Sequence, residues 1–351
     1  MSKKTFLAIN FGCRVNMAET NQWSQILTEK GFFPTQKNPN LILINTCAIT
    51  KKGELESLRK VRTLHQKYPS AKIIVTGCAN LEKVKNIDNV EIFSNKKKGT
   101  LLKKLNSIYT PKIKDKFTKS KRYLLKVQSG CTQFCSYCIV PFKRPKLFSL
   151  PIKKAIKSAQ KAVGNGYKEV IITGVNLDQY KYTFSNLIEN LLKETDIELI
   201  SFGSIPLNCI DNKFISLFKN KEFKNRLSHF LHIPIQSGSD KILKLMKRPY
   251  SNKDIKEIFK KLKKISNVTF GTDIIVAFPT ETKKDFKETY DLCKKINFKK
   301  IHCFRYSPRP NTQASILFKK STKITTKEAK ERSIKIRSLN VQNKLQSHQK
   351  L

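Results

Sequence analysis

Three cysteines within eight residues offer thiolate ligands to a metal centre, in the run VQSGCTQFCSYCIVPF: Cys131, Cys135 and Cys138. Structural zinc sites and ferredoxin-type 4Fe-4S clusters each use four ligands, but no histidine or fourth cysteine lies close by. The spacing therefore predicts a cluster with one iron left open to a small molecule. A zinc site with a remote fourth ligand is the main alternative. Inert buried thiols are a weaker one, because Gly130 and Pro141 mark a loop.

Three further cysteines each follow a short, apolar stretch of the N-terminal region: Cys13, Cys47 and Cys78. The stretches have the composition of buried parallel strands, and a helical stretch is predicted after each of them. The predicted strands are 5–10, 41–45 and 72–76, and the predicted helices include 19–31 and 54–68. Ligands bind beyond the carboxyl ends of such strands, so these cysteines should converge on a second three-thiolate site. Three unrelated core cysteines are the alternative.

The second half of the chain alternates strand and helix roughly every 30 residues, which is typical of a βα barrel. Six strands predict a partial (βα)6 barrel, and the clustered cysteines follow its first strand. They therefore belong at the C-terminal mouth, where barrel active sites lie. The six predicted strands are 123–127, 169–173, 198–203, 229–235, 269–277 and 300–306.

Other polar residues also follow barrel strands: Gly174 and Asn176, Ser204, and Gln236, Ser237 and Gly238. They are candidate site residues, although glycine and serine also serve simply as turn residues. His229 and His232 lie three apart on a strand and face opposite sides, so they should not share a metal. The remaining cysteines fall on barrel strands and helices and are expected to be core thiols: Cys209, Cys293 and Cys303.

The charge balance of the 351 residues is strongly basic, with 70 Lys and Arg against 26 Asp and Glu, a net charge of +44. Such a field favours a polyanion, with RNA or DNA as the first candidate. AT-rich coding alone could produce the same excess, because 59 of the 70 are lysines. Without a membrane-length apolar run or a secretory signal, we expect a cytoplasmic protein that avoids membranes, with a monomer favoured.

Composition and pattern divide the chain into four segments. Residues 1–107 form an α/β domain with an open parallel sheet, and 123–320 form the partial barrel. Between them, 108–122 is a basic linker with one acidic residue, either a solvated connector or an RNA contact. Residues 321–351 form a basic helical tail.

The pattern C-x-x-x-C-x-x-C after the first strand of a barrel resembles the radical S-adenosylmethionine superfamily. The run GCTQFCSYCIVPFKR is similar to the methylthiotransferase branch of that superfamily. The motifs FGCRVNMAET, NTCAIT, VTGC, TGVN, LHIPIQSGSD, TDIIVAFPTETKKDF and YSPRPNT follow in the order of that branch. Within the branch, GCRVNMAET, NTCAIT and TGVN resemble the group that modifies N6-threonylcarbamoyladenosine.

The resemblance implies an enzyme with two 4Fe-4S clusters that inserts a methylthio group at C2 of that nucleoside, next to the tRNA anticodon. Cys131, Cys135 and Cys138 would hold the cluster that binds S-adenosylmethionine, and Cys13, Cys47 and Cys78 the cluster that supplies sulfur. An external electron donor is implied. Contacts to the cofactor are expected from Tyr137, Gly174, Asn176, Ser204, Gln236 and Asp273, and Arg144 matches another polar position.

Three alternatives remain open: an isopentenyladenosine tRNA, a ribosomal-protein aspartate, and a non-catalytic, metal-stabilised RNA-binding protein. The chain also departs from the family pattern. Phe148 and Leu150 stand where arginines are often found, and Ala277, Thr280 and Asn311 where glycines are common. The small RNA-binding β-barrel that usually ends the family is expected to be absent, since no strand pattern follows the lysine-rich helical end. RNA contacts would then come from the basic surface, the linker and that helix.

Overall fold

The N-terminal part of the computed structural model is a five-stranded parallel sheet. The structure describes residues 4–107, 122–322 and 324–348. Strand order across this sheet is β2-β1-β3-β4-β5, which confirms the open parallel sheet predicted from sequence. The strands are β1 (Thr5–Asn10), β2 (Phe33–Pro34), β3 (Leu41–Thr46), β4 (Lys72–Gly77) and β5 (Val90–Ser94).

Helices cover both faces of this sheet, as buried parallel strands require. Leu58, Val61 and Leu64 of α2 pack on one face. Trp23 and Leu27 of α1 cover the other, together with residues of α3. The three helices are α1 (Arg14–Glu29), α2 (Lys51–Lys67) and α3 (Lys98–Ser107).

The second part contains six parallel strands in chain order around a partial barrel. They form two three-stranded sheets, and a bridge between Ser204 and His232 joins the sheets. All six predicted strands are present, and buried side chains from them and their helices form the largest core. The strands are β6 (Arg122–Lys126), β9 (Glu169–Thr173), β10 (Leu199–Phe202), β11 (Phe230–His232), β12 (Thr269–Val276) and β13 (Lys300–Arg305).

Helices follow the barrel strands and surround them. Two have complete capping boxes, at Ser251 with Asp254 and at Thr282 with Asp285; such boxes satisfy backbone N–H groups at a helix start. The helices are α4 (Val140–Lys143), α5 (Ile152–Gly164), α6 (Phe184–Glu194), α7 (Asn212–Leu217), α8 (Asp240–Leu245), α9 (Asn252–Leu262), α10 (Lys283–Ile296), α11 (Gln313–Lys320) and α12 (Thr326–His348).

A short antiparallel pair, which sequence did not predict, shapes the loop that carries the clustered cysteines. It consists of β7 (Gln128–Ser129) and β8 (Phe148–Ser149). Gly130 follows β7 with a φ of +84°, and a Cβ there would lie 2.1 Å from the carbonyl oxygen of Lys146. Only glycine fits this close approach, so Gly130 fixes the two arms of the loop side by side.

The last helix, α12, packs along β13 rather than extending from the molecule. Ile336 and Leu339 join the barrel core. The Asn340 side chain accepts a hydrogen bond from the Ile301 amide (2.7 Å) and donates one to its carbonyl (3.0 Å). These bonds satisfy backbone groups at the open edge of the barrel, an edge that would otherwise invite pairing with another chain.

The predicted linker, 108–122, lies outside the described residues except for Arg122, the first residue of β6. The described part of the predicted tail is mainly α12. Within the described ranges, every helix is too short or too polar to cross a membrane.

A buried ion pair joins the two halves of the protein between their cysteine loops. Arg144, from the clustered-cysteine loop, donates to both carboxylate oxygens of Glu19 in α1, at 2.8 and 2.9 Å, and to Asn16 at 2.7 Å. Glu19 and Arg144 are 4% and 7% exposed. A bidentate pair of this kind fixes orientation as well as distance, so it sets how the two loops face each other.

Three cations share the Glu19 carboxylate, because Lys98 (2.5 Å) and Lys126 (3.1 Å) also contact it. Burial opposes ionisation of Glu19, but the Arg144 hydrogen bonds and the three positive charges hold its pKa well below the usual range. Burial lowers the pKa of Lys98 to about 8, against the attraction of Glu19, and the Arg144 charge lowers it further. The network therefore carries an excess of positive charge.

We predict that Glu19→Gln destabilises the metal-free protein by about 3–5 kcal/mol, because it leaves buried cations without their counter-charge. Urea unfolding would measure the loss. Glu56→Gln is the matched control, since Glu56 pairs with Lys52 on the exposed surface (57% and 85% exposed side chains), where pairs contribute little. Equal stability of Glu19→Gln and wild type would contradict a structural role for the pair.

The pH dependence of unfolding should also change in Glu19→Gln. A carboxylate whose folded-state pKa is lowered stabilises the protein above its unfolded value, 4.5 for an ordinary glutamate, and that contribution disappears as the pH falls through the folded-state pKa. Wild type should therefore lose stability more steeply than Glu19→Gln below about pH 4.5. Parallel stability curves for the two proteins would rule out the depressed pKa.

The three positions where glycines are common in the family all adopt left-handed backbone conformations. The φ angles of Ala277, Thr280 and Asn311 are +57°, +68° and +63°. Asparagine tolerates this region, but a β-branched residue there is a true outlier. Thr280 also has a buried hydroxyl without a hydrogen-bond partner. The backbone has kept a shape suited to glycine while the side chains have changed.

We predict that Thr280→Gly raises the free energy of unfolding by about 1 kcal/mol, because relief of the left-handed strain and of the unpaired hydroxyl outweighs the added freedom of the unfolded chain. Thr280→Ser is the control, since it keeps both a side chain at this φ and the hydroxyl. Chemical denaturation of the three proteins would test it. A loss of stability in Thr280→Gly would show that the threonine is not strained.

Candidate active site

The clustered cysteines lie on one loop between β7 and α4. Cys131 and Cys135 are buried and Cys138 is half-buried, and the Cys138 amide donates to the Cys135 carbonyl at 2.9 Å. Burial raises the pKa of the Cys138 thiol to about 12, with further contributions from the neighbouring Cys135 and Cys131. The three thiols are thus close enough to repel one another when ionised.

Hydrogen-bond donors point at two of these sulfurs. The Asn176 amide lies 3.7 Å from the Cys131 Sγ, and a guanidinium nitrogen of Arg248 lies 3.4 Å from the Cys135 Sγ. Donors of this kind tune the reduction potential of clusters bound through cysteine. Asn176 was predicted as a site residue, whereas Arg248 was not.

Arg248 is held by aromatic residues at the base of this loop. Its Nε donates to the Tyr250 hydroxyl at 2.8 Å, and its guanidinium lies 4.9 Å from that ring centre. It also approaches the Tyr137 hydroxyl at 3.5 Å. Tyr137 is partly buried and packs against the cluster around Met246 and Phe278, and burial raises its pKa well above the usual range. The predicted site residue Tyr137 is therefore a neutral phenol within the cysteine loop.

The other three predicted cysteines follow adjacent strands of the N-terminal sheet. Cys13 is the N-cap of α1, Cys47 follows β3, and Cys78 follows β4. Burial raises the pKa of Cys47, and the nearby Cys78 and Cys13 thiols raise it further. A Cβ on Gly12 would lie 2.6 Å from the Cys47 sulfur. The parallel strands thus bring three cysteines, 34 and 31 residues apart in sequence, to one edge of the N-terminal sheet.

The helix starts place backbone donors at this edge. The predicted helices 19–31 and 54–68 begin earlier, as α1 at Arg14 and α2 at Lys51. Both therefore start directly beside a cysteine loop, where their N–H groups favour anionic ligands. The Ile49 amide reaches the Cys47 sulfur at 3.5 Å, and the Asn95 side chain reaches that of Cys78 at 3.4 Å.

The donor sets fit iron–sulfur clusters. Each site offers three thiols and N–H donors directed at sulfur, and Cys47, Cys131 and Cys138 have raised thiol pKa values. These thiols would stay protonated near neutral pH on their own, but a bound metal deprotonates coordinating thiols outright. Among the described residues, neither triad brings its thiols within 4.8 Å of one another, as the ligands of a single metal ion would be.

Gly174 and Asn176, predicted as site residues after β9, pack against the loop that carries the clustered cysteines. The Asn176 amide nitrogen donates to the buried Gln128 side chain at 2.8 Å, and its side chain donates to Gln133 at 3.0 Å. A Cβ on Gly174 would meet the Leu177 side chain at 2.6 Å and the Gln128 Cβ at 3.0 Å. Gly174 is therefore required by close packing beneath the loop.

The remaining predicted site residues lie across the barrel, on and after β10 to β12. Ser204 bridges to His232, and the Gln236 amide donates to the Asp273 carbonyl at 2.9 Å. One Asp273 carboxylate oxygen contacts His232 (3.0 Å) and His302 (3.1 Å). These three side chains bring potential ligand atoms within 4.8 Å of one another. They form a polar trio on three adjacent strands.

His229 and the three remaining cysteines lie apart from the two triads. His229 contacts the Lys224 carbonyl and the Phe218 ring, away from His232. Cys209, Cys293 and Cys303 are buried in the barrel core. These three cysteines are core thiols, as expected from sequence.

Two family profiles match the two halves of the chain. The Radical SAM superfamily matches residues 125–293, and the Uncharacterized protein family UPF0004 matches residues 5–95. The first range contains the clustered cysteines and the barrel strands through β12. The second contains the N-terminal sheet with Cys13, Cys47 and Cys78.

Curated relatives resemble the chain over most of its length. The "Threonylcarbamoyladenosine tRNA methylthiotransferase MtaB" of Aquifex aeolicus is 32% identical, over 87% of this chain and 81% of its own. That of Chlamydia pneumoniae is 34% identical, over 89% and 77%. The "tRNA-2-methylthio-N(6)-dimethylallyladenosine synthase" of Campylobacter jejuni subsp. doylei is also 34% identical, over 90% and 79%.

A solved structure shares the fold at low sequence identity. The radical S-adenosylmethionine methyltransferase TsrM from Kitasatospora setae matches with a TM-score of 0.65 and 11% identity, over 90% of this chain and 77% of its own. Membership of this superfamily implies S-adenosylmethionine and a 4Fe-4S cluster as cofactors. With relatives above 30% identity over most of both chains, this protein belongs to the radical S-adenosylmethionine methylthiotransferase family, enzymes that transfer a sulfur-containing group.

Proposed function

We propose that the protein inserts a methylthio group at C2 of N6-threonylcarbamoyladenosine, next to the anticodon of a tRNA. The observation that carries the proposal is the presence of two three-cysteine sites, at the C-terminal edge of the sheet and at the barrel mouth, linked through Glu19 and Arg144. A radical-forming centre and a sulfur-supplying centre must both reach one substrate atom. Two joined sites meet that requirement.

Two 4Fe-4S clusters are part of the proposal. Cys131, Cys135 and Cys138 would hold the one that binds S-adenosylmethionine, and Cys13, Cys47 and Cys78 would hold the other. When bound, the first cluster and S-adenosylmethionine supply a carbon radical able to remove hydrogen from an unactivated carbon, a task that belongs to the cofactor. An external electron donor would provide the reducing electron.

The protein's own residues position these groups. Asn176 and Arg248 present N–H groups to the Cys131 and Cys135 sulfurs at 3.7 and 3.4 Å. The polar residues across the barrel would contact S-adenosylmethionine or the base: Ser204, Gln236 and Asp273. Tyr137 would lie beneath the adenine as an apolar floor, and Gly174 would keep the loop close to β9.

The choice of nucleoside rests on motif and relatives. Relatives named for threonylcarbamoyladenosine and for dimethylallyladenosine are similarly identical to this chain, at 32% and 34%. The GCRVNMAET motif favours the former, yet its Val15, Asn16, Glu19 and Thr20 are buried. These buried residues support the cysteine loops and would not contact the nucleoside directly. A test of the nucleoside itself is therefore required.

The proposed partner is tRNA, bound in the cytoplasm by a monomer through the basic surface. The positive field of +44 would neutralise several phosphates, so affinity should fall steeply with salt. The basic linker and α12 are the proposed contacts outside the catalytic mouth, in line with their many lysines.

We predict that disruption of the gene removes 2-methylthio-N6-threonylcarbamoyladenosine from cellular tRNA and leaves its unmethylthiolated precursor. Mass spectrometry of digested tRNA would measure both nucleosides, and a plasmid copy should restore the product. Loss of the isopentenyl derivative instead would favour the second substrate. An unchanged nucleoside profile would contradict a tRNA substrate altogether.

We predict about eight iron and eight sulfide per chain after anaerobic reconstitution, because each 4Fe-4S cluster holds four of each. Cys131→Ala and Cys47→Ala should each lower the iron content to about half, since each removes one ligand set. Cys209→Ala is the matched control, as a buried cysteine outside both triads. Bound zinc, or full iron content in Cys47→Ala, would contradict two clusters.

A further inference from the structure

The loop that carries the clustered cysteines also exposes four large apolar side chains, which we call the aromatic rim: Phe134, Phe142, Leu147 and Phe148, each 45–48% exposed. We propose that the aromatic rim stacks against unpaired bases of an RNA loop beside the catalytic centre. This inference rests on the proposed function and adds how the RNA is held there.

The backbone places the rim beside the cysteines. The arm containing Leu147 and Phe148 runs antiparallel to the arm that leads into Cys131, through the pairing of Phe148 with Ser129. The Cys131 amide also donates to the Arg144 carbonyl at 3.0 Å. The rim therefore lies next to the proposed radical centre, and the buried Arg144 holds its base in place.

Two of the rings form a preformed aromatic surface. Phe134 and Phe142 meet edge to face, with centroids 5.7 Å apart and an interplanar angle of 81°. Phe134 has a φ of +50°, a conformation that costs free energy for a residue with a side chain. The strained backbone is therefore not offset by burial of the ring, which is 48% exposed. Exposed apolar groups gathered at one place indicate a contact surface.

Charge identifies the partner as nucleic acid. Residues 123–168 contain no Asp or Glu, and Lys143 and Lys146 lie within the rim segment itself. Lys146 is exposed. Phenyl rings interleaved with cations are the means by which proteins bind single-stranded nucleic acid, through stacking on bases and attraction to phosphates. An apolar interface between two copies of the chain would instead bring the like charges of Lys143 and Lys146 together.

The rim extends toward the second cysteine site. Arg144, within the rim segment, donates to Glu19 and Asn16 of α1, and Asn16 donates to the carbonyls of Phe11 and Thr46, just before Cys13 and Cys47. Ile49, 53% exposed, lies two residues after Cys47. A base stacked on the rim would thus lie between the two proposed clusters.

This surface also accounts for a departure from the family pattern. Phe148 and Leu150 occupy positions where arginines are often found. Leu150 packs against the barrel core, whereas Phe148 is 48% exposed. At Phe148, a position where arginine is often found carries a flat apolar face, which suits a base rather than a phosphate. RNA affinity at this position should therefore be insensitive to salt.

The test compares RNA binding by cluster-loaded full-length protein and its Phe142→Ala and Phe148→Ala variants. The probes are a short hairpin RNA with an unpaired loop and a fully paired duplex of equal length. Each variant should bind the hairpin about tenfold more weakly, with an unchanged salt slope and unchanged duplex binding. Phe148→Tyr should retain wild-type affinity, and Lys146→Ala should weaken both probes and reduce the slope.

Phe33→Ala is the matched control, because Phe33 is 37% exposed but pairs with Thr5 at the opposite end of the N-terminal sheet from the cysteine loops. Thermal unfolding would verify that every variant is folded. Hairpin binding equal to wild type in both phenylalanine variants would overturn the proposal, as would a wild-type dimer that these substitutions dissociate. Hairpin binding that depends on the rim, in a protein that methylthiolates no tRNA, would overturn the proposed function and leave the rim intact.

Discussion

The buried pairing of Glu19 with Arg144 is the interaction on which the arrangement of the two cysteine sites depends. Arg144 belongs to the barrel loop that carries three cysteines, and Glu19 to the helix that begins at Cys13. Asn16, one turn earlier, accepts from Arg144 and donates to the carbonyls of Phe11 and Thr46, which precede Cys13 and Cys47. One guanidinium thus fixes loops from both halves. Removing either partner would leave a buried charge, so the two loops cannot separate at low cost.

The excess of cations in this network also has an electrostatic consequence. Glu19 balances one of three positive charges. Burial lowers the pKa values of Arg144 and Lys98, Glu19 raises both, and the nearby Cys78 thiol adds a smaller contribution in the same direction as Glu19. A cluster bound by three thiolates is anionic, and a nearby cation stabilises such charge more strongly inside a protein than in water. The contact between the two halves therefore also prepares one site for its expected ligand.

Periodicity was enough to predict nine strands and the convergence of distant cysteines, although it missed β2 and β5 at the edges of the N-terminal sheet. Parallel strands end at one edge, so cysteines after β1, β3 and β4 must meet there, and all nine strands predicted from sequence are present. The early start of α1 was missed because Cys13 is an unusual N-cap. The β7 and β8 pair was missed because two-residue strands have no periodicity. Both depend on tertiary contacts, such as the approach of Lys146 to Gly130.

Arginine is the signal in the sequence that could have located the missed contacts. The chain has 11 arginines against 59 lysines, so lysine provides most of its positive charge and each arginine stands out. The retained arginines include buried Arg144, Arg309 and Arg332, each paired with a carboxylate, and Arg248 beside Cys135. The planar guanidinium of arginine can donate several hydrogen bonds in a fixed geometry, which the ammonium group of lysine cannot do.

Buried arginines and exposed lysines have different roles in this protein. Buried arginines hold the cysteine loops and the last helix, since Arg332 of α12 pairs with Glu281 after β12 at 2.5 Å. Exposed lysines carry most of the charge that attracts a polyanion, but a mobile ammonium gives little geometric precision. A substrate base must nevertheless be positioned closely beside the reacting centre. In a chain whose surface cations are nearly all lysine, rigid aromatic side chains such as Phe134 and Phe142 are the groups able to supply that precision.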